Sequence, residues 1–398
     1  MLYKLTIIFL CLALTTGCWS RRELNELLIV LGIAIDWEDG QYLISFQVVN
    51  PGEISQQRSN SNGRPPGTLY QGRGKTVLEA ARSLTAEAPR KVYMGHLQLY
   101  VISEEVARRG ILEVVDSALR DNETRMDFNL IVARGMKANS ILKLYTPMEK
   151  LPTYNMLESL QTSQKNWAPT IAVTMDEAMN KLSVYGDQLA LTGIHLVGND
   201  KLAESKHNVE TFLPASRFRY TGIAAFKGEK LIGWLNEKES RGYTDVTNHL
   251  SSTSIELPCD EKHYLGVEIT SSDSKLKTSI DEQGMPKVEV QISSEANIVN
   301  NPCQSVDLSD PATIKRLEKE SIDQINSNAQ AVVKKAQEIK SDFLGFGSEF
   351  GKQHPAYWKT VEENWNTESF LLCKVSYKIE LHIRRTGLMG NSTLKKTS

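Results

Sequence analysis

The stretch that most constrains the fold lies near the carboxyl end. From Phe370 to Arg384 the odd positions carry Leu371, Cys373, Val375, Tyr377, Ile379, Leu381 and Ile383. From position 374 the even positions between them carry Lys374, Ser376, Lys378, Glu380 and His382. Strict alternation predicts a strand with one apolar and one polar face. Such a strand needs neighbours in a sheet and a cover for its apolar side.

The segment upstream supplies the cover. Asp310 is placed to cap a helix and Pro311 to occupy its first position, where the missing N–H costs nothing. Ile314, Leu317, Ile325, Ala329, Val332, Ala336 and Ile339 then recur at three- and four-residue steps. The pattern predicts a helix of about 30 residues, roughly 45 Å long, stopping before Gly345. A link with His354, Pro355, Trp358 and Trp365 leads into the last strand.

Upstream again, short apolar runs predict strands at Tyr220 to Phe226, Leu231 to Leu235, Tyr264 to Thr270, Leu276 to Ile280 and Val288 to Ile298. Turn residues separate them (Lys227-Gly228-Glu229-Lys230, Glu282-Gln283-Gly284), so an antiparallel meander with one wet face is expected. Cys373 falls on the apolar face of the last strand and reads as a core thiol.

The first half alternates strands and helices. Strands are expected at 29–36, 42–49, 96–102, 127–133 and 188–197. Helices are expected at 104–119 (broken at Gly110), 138–145, 153–163 and 175–183, the last capped by Thr174 with Glu177. Residues 53–68 read as a loop. Gly72-Arg73-Gly74-Lys75-Thr76 has the ending of a phosphate loop but lacks its first glycine, since position 69 is Leu. Thr76 with Glu79 is the better reading, as a capping box opening a helix.

The amino-terminal end carries an address. Lys4 is followed by an apolar run from Leu5 to Leu14, then Thr15-Thr16-Gly17 and Cys18. Charge, apolar core and small residues form a secretory signal. A cysteine directly after them resembles a bacterial lipoprotein signal, which implies that Cys18 carries an S-diacylglycerol and becomes the first mature residue. The run is too short to span a bilayer. Two acyl chains on one residue give the durable anchoring that a single chain does not. Trp19, Ser20, Glu23 and Leu24 can staple and cap a first helix at once, leaving almost no tether.

The 398 residues carry a formal charge of −2, and no basic stripe points to nucleic acid. Cys259, Cys303 and Cys373 remain after the signal; Cys259 and Cys303 flank a β-rich region, as a disulfide or as free buried thiols. The seven histidines include no pair at a spacing of three or four, and no Gly-x-Ser-x-Gly occurs. The sequence therefore suggests no catalytic residue, no metal ligand and no cofactor.

Trp19 to Leu27 behind the lipoprotein cysteine, Val30 to Asp36, Ala225-Phe226-Lys227 and Leu231 to Leu235 form an ordered set. Glu239-Ser240-Arg241-Gly242, Asp342 to Gly347, the Pro355/Trp358/Trp365 group and Ile383 to Gly387 continue it. It resembles the Ger(x)C spore germination lipoproteins across nearly the whole mature chain. The resemblance implies a mixed α/β, multi-domain body without a catalytic site. It implies the C subunit of a nutrient germinant receptor, a non-enzyme on the outer face of the spore's inner membrane beside integral-membrane A and B subunits.

The expected organisation is a signal peptide at 1–17, a mixed α/β domain at 18–198 and a linker or excursion at 199–218. A C-terminal α+β domain follows at 219–389, with a subdivision point near 305, and a disordered tail at 390–398. A solute-binding lipoprotein of a transporter is the alternative, and an extracytoplasmic hydrolase a third reading.

Overall fold

The computed structural model describes Tyr3 and residues 26–50, 65–120, 123–167 and 169–386. The rest of the signal peptide, Cys18, the expected first helix after Ser20, most of the 53–68 loop and the tail at 390–398 lie outside the described residues.

Two sheets carry the body. The larger begins with β1 (Leu27–Glu38) and β2 (Gln41–Val49), an antiparallel hairpin. Its turn is Asp39-Gly40, both at positive φ (51° and 81°), the geometry that two-residue hairpins favour. β3 (Gly67–Gly74) adds to β2 as an edge strand. It was not expected, because its glycines and polar residues mask the strand signal. Helix α1 (Val77–Ser83) follows, and Thr76 Oγ1 accepts from Glu79 N at 3.1 Å. The Glu79 carboxylate returns to Lys75 N at 2.7 Å, one residue before the cap itself.

β4 (Lys91–Tyr93) and β5 (Leu99–Ser103) run parallel to β1. Helices α2 (Glu104–Arg109) and α3 (Leu112–Leu119) are separated by Gly110 at φ +131°, as the sequence leads one to expect. β6 (Asn129–Ala133) pairs parallel with β5. It is followed by α4 (Ala138–Leu142), α5 (Pro152–Asn166) and α6 (Met175–Leu182), the last with the complete Thr174/Glu177 capping box. β7 (Ala190–Gly198) pairs parallel with β6.

Here the structure corrects the sequence reading. β8 (Ser216–Lys227) and β9 (Lys230–Leu235), expected to open the C-terminal meander, extend the first sheet antiparallel from β7. The order is β3-β2-β1-β5-β6-β7-β8-β9, with β4 also on β1. Residues 199–215, which include the short α7 (Asp200–Ala203), close back on themselves as an excursion between β7 and β8. Asn199 N donates to Ala215 O at 2.9 Å, and the buried Asn208 amide bonds Tyr145 O, Ser216 O and Ser216 N. An alternating apolar run reveals a strand but not its sheet, which long-range pairing decides.

The smaller sheet holds β10 (Thr253–Pro258), β11 (Tyr264–Ile280), β12 (Pro286–Asn300) and β13 (Lys374–Arg385), in that order. β11 is one strand where two were expected: Ser271 to Ser274 continue the ladder beyond a bulge rather than turning. The sheet is not wholly antiparallel, because β13 pairs parallel with β12. A crossover is then obligatory, and the long helix makes it. This helix and α8 (Glu237–Val246), which no expected element covers, form the cover.

The long helix, α9 (Pro311–Glu338), spans 28 residues, or about 42 Å. Asp310 Oδ1 caps it through Ala312 N at 2.9 Å. Its buried stripe is Leu317, Ser321, Ile325, Ala329, Val332, Val333 and Ala336, and it packs on β13 and α8. After it come α10 (Phe346–Gln353), α11 (Pro355–Val361) and the short α12 (Ser369–Leu372). The last strand therefore starts at Lys374, not Phe370. The alternation there is as expected, with every even residue from Lys374 to Arg384 exposed. Cys259 and Cys303 are joined by a disulfide, with Cα atoms 6.1 Å apart, and Cys373 is a buried free thiol.

Candidate functional site at the joint between the sheets

Several of the sequence motifs singled out above meet where the two sheets adjoin. The chain leaving α9 passes through Ser341 and Asp342, both fully buried. Ser341 Oγ donates to Phe226 O on β8. Asp342 O accepts from Gln188 N at 2.9 Å, and Asp342 N donates to Asn366 Oδ1 at 2.6 Å. The link is thus stitched to the edge of the large sheet on one side and to the tryptophan segment on the other.

The Asp342 carboxylate is the centre. It accepts from Gly347 N at 2.7 Å, Phe346 N at 3.2 Å and Trp365 Nε1 at 2.7 Å. Two of these donors are the first amides of α10, so one side chain caps a helix and fixes an indole. Burial pushes the carboxyl up to about 7, against the pull of Gly347 N and Trp365. Trp365 is fully buried, with ring centres 5.3 Å from Phe350 and 5.4 Å from Trp358.

Close approach explains the glycines. A Cβ on Gly347 would stand 2.6 Å from Trp358 and 2.7 Å from Gly186 Cα. Ser348 N donates to Gly186 O at 2.9 Å. Gly242 of the Glu239–Gly242 motif plays the same part between α8 and α9: a Cβ there would meet Asn328 O at 2.1 Å. Glu239 of that motif completes a capping box with Asn236, a signal of Asn-x-x-Glu that was legible in the sequence.

Beside this hub opens a cleft of about 510 Å³. Lys181 Nζ donates to Asp187 Oδ2 at 2.6 Å within it. Asp187 Oδ1 is buried without a hydrogen bond, and burial holds this carboxyl above its ordinary range. Burial works against the Lys181 ammonium, but Tyr243 and Asp187 outweigh it and keep its pKa high. His249 Nδ1 lies 2.8 Å from Thr247 Oγ1, and burial holds the imidazole below its usual value. The cleft can admit a small polar molecule; Lys181 and Asp187, six residues apart, gave no sequence signal for it.

Other candidates resolve as packing. Gly72 and Gly74 let α1 approach β3: a Cβ would meet Ala80 O at 2.0 Å or Ala80 N at 2.4 Å. The glycines of the phosphate-loop look-alike therefore face a helix, not a ligand. Burial pushes the Cys373 thiol up to about 12, which leaves it inert. Among the described residues no group of three or more His, Cys, Asp or Glu is placed to hold a metal ion. Cys18, the lipidation residue expected from the sequence, lies outside the described residues.

The fold and the joint define an α+β body of two sheets locked by a buried carboxylate–indole hub. Residues 20–196 match the family described as spore germination protein N-terminal domain, and residues 221–387 match spore germination B3/GerAC-like, C-terminal. The second match begins inside β8, so both regions share the large sheet. The chain is 30% identical to spore germination protein KC of Bacillus subtilis (strain 168), over 97% of this chain and 96% of that one. It is 25% identical to spore germination protein B3 of the same organism, over 97% and 98%. In fold it is similar to the crystal structure of the GerBC protein, with TM-score 0.53, 21% identity, and coverage of 88% of this chain and 96% of that one. The chain belongs to the Ger(x)C family of spore germination proteins.

Proposed function

We propose that this chain is the lipid-anchored, non-enzymatic C subunit of a spore nutrient germinant receptor. In this reading Cys18 carries the diacylglycerol, the body stands on the outer face of the spore's inner membrane, and its partners are integral-membrane A and B subunits. The observation that carries it is the full-length match to spore germination proteins. The sequence Thr15-Thr16-Gly17-Cys18 behind an apolar run supports the anchor. Among the described residues no helix is long and apolar enough to cross a membrane, so attachment in this account rests on the lipid and on partners. β1 starts at Leu27, nine residues after Cys18. That chain reaches at most about 30 Å, which keeps the body close to the bilayer.

The transporter alternative calls for two α/β lobes. The smaller sheet here has three antiparallel strands and a single helical crossover, which favours the receptor reading. The test is deletion of the gene in a strain without another copy, followed by germination with each nutrient. Loss of the response to at least one nutrient, restored by the gene, is expected. Unchanged responses to all of them would overturn the proposal.

A further inference from the structure

The carboxyl ends of β1, β5, β6 and β7 lie together, because these strands are parallel. At that end the chain leaves β5 and β6 in opposite directions. Helix α2 after β5 packs in the cluster of Ile33, Ile35 and Ile102, whereas α4 after β6 packs with Ala34, Val101 and Ile131. Adjacent strands whose connections part to opposite faces open a crevice, the usual place for a ligand in such sheets. Glu104 closes the crevice itself: its Oε2 accepts from Gly135 N at 2.9 Å and its Oε1 from Trp234 Nε1 at 3.0 Å.

Next to it a concavity of about 460 Å³ remains, lined by Arg134, Gly135, His195 and Thr221. Arg134 lies over the Trp234 ring, 4.6 Å from its centre, and donates to Thr221 Oγ1 at 3.3 Å. Its guanidinium is thereby held in place. His195 on β7 stands directly opposite Arg219 on β8, and Arg217 is on the same face two residues away. None of Arg134, Arg217 and Arg219 forms an ion pair among the described residues. The nearby Glu104 has committed both oxygens, one of them also to Arg108. Burial, then Arg219 and Arg134, hold His195 below its ordinary value, the sign of a local excess of positive charge.

We propose that Arg134, His195 and Arg219 form a binding site for a soluble oxyanion of the phosphate class. A fixed guanidinium, a second, exposed one and an imidazole able to take a proton match a tetrahedral oxyanion with several acceptor oxygens. The source is a free or small-molecule phosphate, not a lipid headgroup. The strands run from Leu27 toward the site for ten residues of β1, about 33 Å, so the site lies at the end of the sheet opposite Leu27. That choice of source rests on the anchoring proposed above; the oxyanion chemistry does not.

The test is titration of the purified full chain in detergent with inorganic phosphate at constant ionic strength, followed by Trp234 fluorescence and by the His195 imidazole signal in NMR. Saturable binding is expected, with the His195 pKa rising when phosphate binds. Arg219→Gln, an exposed position, should weaken binding by about tenfold or more without changing thermal stability. Arg134→Lys, which keeps the charge but loses the fork, should weaken it as well. Chloride at the same ionic strength should give no saturation. Absent saturation, or an affinity unchanged in both variants, overturns the site. Binding to anionic phospholipid vesicles with none to free phosphate overturns the soluble source. Because none of these readouts involves germination, a failure here is distinct from a failure of the receptor reading.

Discussion

Trp365 donates its indole N–H to Asp342 Oδ2 at 2.7 Å, with both side chains fully buried. The pair lies within the segment that carries the chain from α9 to β13, and it ties the start of α10 to the tryptophan segment. Asp342→Ala leaves the Trp365 donor and the first amides of α10 without a partner. A loss of about 2–4 kcal/mol is expected, read by urea denaturation. Trp365→Phe keeps most of the ring burial and removes one donor, and is expected to cost less than Asp342→Ala. Equal stability of Asp342→Ala and the parent would show that the hub does not hold the joint.

The glycine contacts make a second, steric prediction. Gly347→Ala places a methyl 2.6 Å from Trp358 and 2.7 Å from Gly186 Cα. Overpacking of this kind costs about 1–3 kcal/mol. Gly40→Ala, where the added Cβ meets nothing within 4 Å, pays only for its positive φ and serves as the comparison. Thermal melts of the two variants should rank Gly347→Ala as the more damaging.

The buried acids set a pH dependence. Burial pushes both Asp342 and Asp245 up to about 7; Asp245 sits among Leu250, Ile255, Ile269 and Ile325, with Arg241 at the rim. A carboxyl whose folded pKa is raised holds a proton that the unfolded chain releases near pH 4. Its contribution is therefore full below pH 4 and declines as pH rises through 7. Asp245→Asn removes this term. The variant should gain about 1–3 kcal/mol over the parent at pH 8 and differ little at pH 4, by urea unfolding at the two pH values. A constant difference at both would contradict the titration.

The Cys259–Cys303 disulfide closes a separation of 44 residues, spanning β10 to the end of β12. Removing it by the double change Cys259→Ala and Cys303→Ala is expected to cost about 2–4 kcal/mol. Reduction of the parent by dithiothreitol should lower the melting temperature to that of the double variant. No change on reduction would mean that the two thiols are free in solution.

How much of this was legible in the sequence depends on range. The Thr76, Thr174 and Asp310 caps, the break at Gly110 and the alternation of β13 are set by neighbours within a few residues, and the structure has them. The sheet membership of β8 and β9 was not legible, because nothing local distinguishes a strand that joins β7 from one that joins β10. β3 was missed for the reason that makes it work: Gly72 and Gly74 weaken its strand signal while letting α1 approach. Of the joint, Asp342 and Trp365 stood out as motif members, but their bond crosses 23 residues and no spacing rule connects them. Asp36 is a further case, a charge ending an apolar strand that caps α4 through Ala138 N at 2.7 Å, 102 residues away.

Cys18 is the residue on which the proposed lipid anchoring turns. The decisive measurement compares spores carrying the parent chain, Cys18→Ala and a deletion, in a strain without another copy, for nutrient-triggered germination and for recovery of the chain in the inner-membrane fraction. Cys18→Ala is expected to lose acyl labelling, leave the membrane fraction and germinate as poorly as the deletion. A Cys18→Ala chain that stays at the membrane and supports the parental response would contradict the lipid-anchored role.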